Sequence, residues 1–262
     1  MHGLEIIAGA LTGLIVGLTG VGGGALMTPI LLLLFGVAPA TAVGTDLWFA
    51  ALTKMAATRI HHGHGLIDWT VVKRLWVGSL SCAVLTLICL RWSPIHTGNF
   101  HFLKVAIAGA VLLTSVGLLF QAQLHGLGRH MRTTSPDRFK SYQAPLTILA
   151  GALLGVLVTL TSVGAGALGV VILAHLYPFR LTPSRLVATD IVHAIPLAIF
   201  AGLGHLYVGN VNFMLLGNLL IGSIPGVIVG AMLSSQIPQA IIRGLLVIVL
   251  LVVGTKLWLV AT

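Results

Sequence analysis

Only 5 acidic residues occur in this chain, and two of them stand in matching apolar contexts. Asp46 stands next to last in the segment PATAVGTDL, residues 39–47; Asp190 closes TPSRLVATD, residues 182–190. A carboxylate inside an apolar helix costs roughly 2.5–3.5 kcal/mol on insertion scales, so it is kept for a purpose. Two purposes fit. It can couple movement of a proton or other cation, or it can clamp neighbouring backbone through hydrogen bonds. His193 lies three residues beyond Asp190, on the same helical face, where it can share a proton. Phe49 takes the corresponding place after Asp46, so any such relay is one-sided. Lys54 lies deeper in the first of these segments. It either attracts an anion or extends its ammonium toward the loop near Arg59.

Upstream of each aspartate is a glycine-rich break. Gly20, Gly22, Gly23 and Gly24 interrupt one apolar run, and Gly164 and Gly166 interrupt another. Backbone that leaves the helix at membrane depth is tolerated only where protein or a wet cavity satisfies its polar groups. Glycine permits the dihedrals and lets a ligand approach the main chain. A helix that restarts after such a break presents free N–H groups and the positive end of its dipole, which together form an anion site. Thr19, Thr161 and Ser162 are placed to add hydroxyl donors. The expected substrate-binding set is therefore Thr19, Gly20, Gly22, Gly23, Gly24, Thr161, Ser162, Gly164 and Gly166. The expected coupling or gating set is Asp46, Lys54, Asp190 and His193.

The two breaks belong to two copies of one unit. Gly9, Ala10 and Leu11 match Gly151, Ala152 and Leu153, and at the same offset Thr19, Val21, Gly22, Gly24, Ala25 and Leu26 match Thr161, Val163, Gly164, Gly166, Ala167 and Leu168. After a two-residue insertion, Pro39, Val43, Thr45 and Asp46 match Pro183, Val187, Thr189 and Asp190. Internal repeats of this kind are common in transporters, with the binding site where the repeats meet. The expected division is a first transmembrane repeat over 1–121, a basic cytoplasmic loop over 122–143, and a second repeat over 144–262.

Composition places these repeats in a bilayer. Of 262 residues, 57% are hydrophobic and only 7% are charged, where a soluble domain carries about 25% charge. The net charge of +9 belongs to loops. It reads as the positive-inside bias of a membrane protein and not as a nucleic-acid surface. The N-terminal run has no basic n-region or obvious cleavage site, so it is expected to stay in the protein. Cys82 and Cys89 lie in one apolar run and make no disulfide framework. His61, His62 and His64 have no nearby acidic or Cys partner except Asp68, and are read as loop histidines without a metal.

The expected fold is all-α: two pseudo-symmetric repeats, each a glycine-broken hairpin plus three transmembrane helices. Apolar runs 4–35 and 145–177 are too long for one helix. If each spans once, the repeats are parallel. If each enters and returns, the second repeat is inverted relative to the first. The inverted arrangement puts all but three of the 14 Lys and Arg residues, Arg91, Lys104 and Lys256, on one side. That bias is the cleaner one, so inversion is preferred, with a broken single span as the alternative.

The doubled glycine unit, the PATAVGTDL segment, and the later HAIP (193–196) and GSIPG (222–226) segments resemble the sulfite exporter TauE/SafE family of membrane permeases. The resemblance covers nearly the whole chain. It implies a plasma-membrane secondary transporter, an exporter of small sulfur-containing anions such as sulfite or organosulfonates, with the substrate region at Thr19–Gly24 and Thr161–Gly166. A channel for anions, or carriage of another anion such as thiosulfate, is the alternative. The chain has no GxxxxGK[ST], GxSxG or HExxH motif. An ATPase or an enzyme is therefore not expected, and no cofactor is implied. The expected partners are the lipid bilayer, a small anion and a coupling proton or cation.

Overall fold

The protein is described here from a computed structural model covering residues 2–19, 24–60, 65–92, 100–134, 136–234 and 236–261. These residues form eleven helices: α1 (His2–Thr19), α2 (Gly24–Leu33), α3 (Pro39–Ile60), α4 (Trp69–Trp92), α5 (Phe100–Leu119), α6 (Gln121–Thr134), α7 (Pro136–Thr161), α8 (Ala167–Leu176), α9 (Pro183–Tyr207), α10 (Phe213–Leu233) and α11 (Gln239–Ala261). Among the described residues, 6 helices are long and apolar enough to cross a membrane.

The helix starts follow from side-chain chemistry, and the two halves use the same devices. Asp68 Oδ1 accepts from Val71 N at the head of α4 (3.3 Å), and Asn212 Oδ1 accepts from Leu215 N at the head of α10 (3.0 Å). Each cap satisfies a backbone N–H that the first helical turn leaves without a partner. The preceding turns match as well. Gly65 and Gly209 both adopt left-handed backbone, with φ of +87° and +81°. Thr45 Oγ1 accepts from Asn212 N, and its counterpart Thr189 Oγ1 accepts from Asp68 N, both at 3.1 Å. Each half thus anchors the capping turn of the other.

The largest packing faces exchange in the same way. α1 lies on α10 with the two chains running in the same direction. Gly9 abuts Leu219, Gly13 abuts Ser223 and Gly17 abuts Val227, so closely that a Cβ on any of them would collide with the opposing carbonyl. α7 lies on α4 by the same rule, with Gly151 against Leu75 and Gly155 against Ser79. In hydrocarbon no hydrophobic force separates lipid from helix, so small residues that allow close backbone contact hold such pairs together. α3 and α9 cross at the centre in opposite directions: Gly44 meets Asn210, and Trp48 Nε1 donates to the carbonyl of Gly202 at 3.1 Å.

The short helix α8 runs back along α7. Gly164 packs over Leu154, Leu157 and Val158. At the far end, Gln143 Nε2 donates to Leu176 O (2.7 Å), and the hydroxyls of Thr147 and Tyr177 share a hydrogen bond (2.8 Å). The second glycine break is therefore the tip of a hairpin with one long and one short arm. The polar segment between the repeats, expected as a loop, is helical: α6, then the first turns of α7. Its Gly128 lets it cross α8 against His175, and His125 and His175 each bond a carbonyl of the other helix, Ala174 O (3.0 Å) and Leu124 O (2.8 Å). These partly buried polar contacts hold as helix a segment whose low apolar content made it look like a loop.

Replacing Gly13 or Gly155 with leucine is expected to destabilise the protein by about 1–3 kcal/mol or more, because the colliding atoms are backbone. Gly217→Leu, where no atom lies near the added carbon, serves as the control. Thermal unfolding of the purified variants in detergent checks this.

Candidate functional site

The second break is built from three unusual conformations in sequence. Ser162 has φ +59°, and is the only non-glycine residue with positive φ among the described residues. Gly164 and Gly166 follow at φ +122° and +121°, values that side chains disfavour strongly. Strained backbone of this kind clusters at functional sites. Thr161 stabilises the turn: its hydroxyl donates to Leu157 O (2.6 Å) and accepts from Val163 N (3.1 Å). Its hydroxyl proton is thereby committed to the backbone. Thr19 ends α1 with a similar bond to Ile15 O (2.8 Å). α8 then begins at Ala167 with no side-chain cap.

Two charged residues from the first half reach this break. Lys54, 2% exposed, donates from Nζ to Ala165 O at 3.0 Å. Its ammonium points into the protein instead of toward the loop near Arg59. Asp46, fully buried, faces the hydroxyl of Ser162. Asp46 is also fixed by α2, since Oδ2 accepts from both the backbone N (3.1 Å) and the hydroxyl of Thr28. Asp190, 1% exposed, approaches from α9. It faces the N–H of Gly166 and the charge of Lys54. Its Oδ1 fills the space that a side chain on Gly169 would take.

The arrangement brings Asp46, Lys54, Ser162, Ala165, Gly166 and Asp190 together in the interior. Neither carboxylate pairs with Lys54 at contact distance; among the described residues the only such ion pair is Arg180–Asp68, near the capping turn. Asp46 Oδ1, Ser162 Oγ and both oxygens of Asp190 have no hydrogen bond of full geometry. Burying polar atoms in this state is costly unless something completes them. His193, on the same helix as Asp190, bonds Ser79 Oγ through its Nε2 (3.0 Å), while its Nδ1 has no hydrogen bond of full geometry.

Several contributors were not singled out from the sequence. Thr28 has no polar counterpart in the second repeat, since Val170 stands there. Ser79 and Ser223 do correspond, and that pairing was the available signal: Ser79 holds His193, and Ser223 bonds Thr53 at 3.1 Å. Gly20, Gly22 and Gly23 of the first break, and His61, His62 and His64, lie outside the described residues. Gly24 opens α2.

A cleft of about 900 Å³ lies beside the site. Its lining includes Thr19 at the end of α1, Val170 on α8, and Ile191, the neighbour of Asp190, on α9. Gln121, His125, Thr182, Ser184 and Arg243 also line it.

A profile of the family described as "Sulfite exporter TauE/SafE" matches residues 5–257. The chain belongs to this family. It is 36% identical over 215 residues to "Probable membrane transporter protein YjnA" of Bacillus subtilis (strain 168), covering 80% of this chain and 81% of the relative. A second relative, "Probable membrane transporter protein YdhB" of the same organism, is 26% identical over 214 residues, covering 81% and 82%. No solved structure matches. Family membership and the six apolar helices make this a multi-pass membrane transporter and not an enzyme.

Asp46→Ala is expected to unfold more readily than Asp46→Asn, by about 1–3 kcal/mol, because alanine strands the buried N–H of Thr28 while the asparagine oxygen still accepts from it. Equal thermal stability of the two variants would remove the clamp role.

Proposed function

We propose that the protein is a secondary transporter of small sulfur-containing anions, such as sulfite or short organosulfonates, in the plasma membrane, working as an exporter. The anion is held near the bilayer midplane by the ends of α2 and α8 at the two glycine breaks. The observation that carries this reading is the buried head of α8. An uncapped helix N-terminus, left-handed glycines that open the main chain, the unbonded hydroxyl of Ser162 and the ammonium of Lys54 converge on one interior point. Donors fixed in place within a low-dielectric interior favour an anion. In this reading Thr19 and Thr161 shape the breaks, while Gly20, Gly22, Gly23, Gly24, Ser162, Gly164 and Gly166 provide the lining. Asp46, Lys54, Asp190 and His193 form the coupling and gating group behind it.

The sulfur-anion class rests on the family and its description. Uphill flux tests the transport direction.

Inversion of the two repeats belongs to the same proposal. It is supported by the opposite running of α3 and α9 together with the parallel pairs α1/α10 and α4/α7. Arg129, Arg132, Arg138, Lys140, Arg180, Arg185 and Arg243 then share the cytoplasmic side, and the cleft opens there.

Three measurements bear on this. Single cysteines at Thr134 and Thr182 should label from the cytoplasmic side and one at Asn210 from the opposite side; labelling of Thr134 and Thr182 from opposite sides would exclude inversion. In proteoliposomes, sulfite, thiosulfate and a short sulfonate should move while sulfate-free controls without protein stay flat. Accumulation against a gradient separates a transporter from a passive channel. Gly164→Val, which forces a β-branched side chain onto left-handed backbone, should lower flux at least tenfold in protein that still inserts. Normal flux would make the break a packing device only.

A further inference from the structure

We infer that Asp190 is a built-in stand-in for the transported anion, displaced when it takes up a proton, so that anion and proton bind together and move in the same direction. The inference rests on the anion-transport reading above and adds the coupling ion, its sign and its carrier.

The two aspartates are equivalent by repeat but not by environment. Asp46 accepts a backbone N–H from Thr28. Its Oδ2 also takes the Thr28 hydroxyl, so the side chain is fixed to α2. Lys54 lies within electrostatic reach of both carboxylates. Asp190 is held less tightly: neither of its oxygens has a hydrogen bond of full geometry, while the residue is 1% exposed. It faces the Gly166 N–H at the uncapped head of α8, where a substrate anion would sit. The titratable groups around it are Lys54 and Asp46 from α3, and His193 on its own helix, already bonded to Ser79 of α4. α8 brings only backbone and apolar side chains to this face, with Gly169 giving Asp190 the room it occupies.

Charge counting sets the direction of coupling. Lys54 offsets one carboxylate and not two. With Asp190 ionised, the head of α8 is already filled by an anion. A second anion would add to an uncompensated negative charge in a low-dielectric interior, where like charges repel strongly. A proton arriving on Asp190 from the cleft side cancels that charge and frees the Gly166 N–H. Ser162 and Lys54 then complete the site for the incoming anion. Proton and anion each raise the affinity for the other, and the effect is reciprocal. Release runs in reverse: as the anion leaves, Asp190 gives up its proton and returns to the helix end. In the export direction this cycle is driven by the outward gradient of the anion itself.

The test uses ethanesulfonate, which stays ionised over the working pH range and so carries no proton of its own. Purified wild-type protein in proteoliposomes with a pH-sensitive dye in the lumen should acidify the lumen as the sulfonate enters, with about one proton per sulfonate. Alkalinisation, flux without proton movement, or flux that follows sodium instead of pH would overturn the inference. Asp190→Asn should lower the proton-to-sulfonate ratio at least tenfold, whatever flux remains. A ratio unchanged in Asp190→Asn also overturns it. Should the variant fail to fold, calorimetric titration of the wild-type protein with ethanesulfonate in two buffers of different ionisation enthalpy reads the same quantity. Proton uptake on binding is expected, and zero uptake or release overturns the inference. Absence of flux and binding for every sulfur anion tried would instead refute the transport reading, and this inference would fall with it.

Discussion

Backbone that leaves the helix inside a bilayer must find partners for its N–H and C=O groups, because the hydrocarbon offers none. The break between α7 and α8 is built around that requirement. Thr161 bonds the turn to itself, Lys54 takes the carbonyl of Ala165, and Gly169 N–H reaches back to Gly164 O at 3.1 Å. Asp190 faces the N–H of Gly166 and Asp46 the hydroxyl of Ser162, so side chains from both halves meet at the turn.

The pseudo-symmetry serves the same requirement. A hairpin with one short arm cannot cover its own tip. Each half lends the other its first helix, α1 onto α10 and α7 onto α4, through glycines that bring backbones into contact. The central pair α3 and α9 then carries its polar side chains to the breaks, with Lys54 and Asp46 of the first half working on the break of the second. Thr45 and Thr189 tie each capping turn to the opposite half. Small residues and hydroxyls thus do the work that apolar burial does in a soluble core, since lipid competes for every apolar surface.

The pseudo-symmetry is broken around the two aspartates. Thr28 bonds Asp46, while Val170 holds the matching position on α8, so only one carboxylate has a hydroxyl partner on the short helix. Lys54 has Ala198 as its counterpart, and His193 has Phe49.

The sequence alone determined the membrane class, the all-helical fold, the doubled unit and the location of its breaks. These follow from local rules: apolar length, glycine interruption, and aspartates too costly to be incidental at matched positions. It also carried the charge asymmetry from which opposite orientation of the halves was read. Tertiary structure decided the rest. That Lys54 turns inward to Ala165 depends on how α3 crosses the tip of a hairpin more than a hundred residues away in sequence. That His193 Nε2 meets the Ser79 hydroxyl depends on α4 packing beside α9. That the polar linker forms helix α6 depends on a carbonyl exchange with α8 that no local pattern encodes. Helical periodicity places a side chain on a face; only packing between helices decides what that face meets, because in a bilayer the choice turns on a few polar contacts and the fit of small residues.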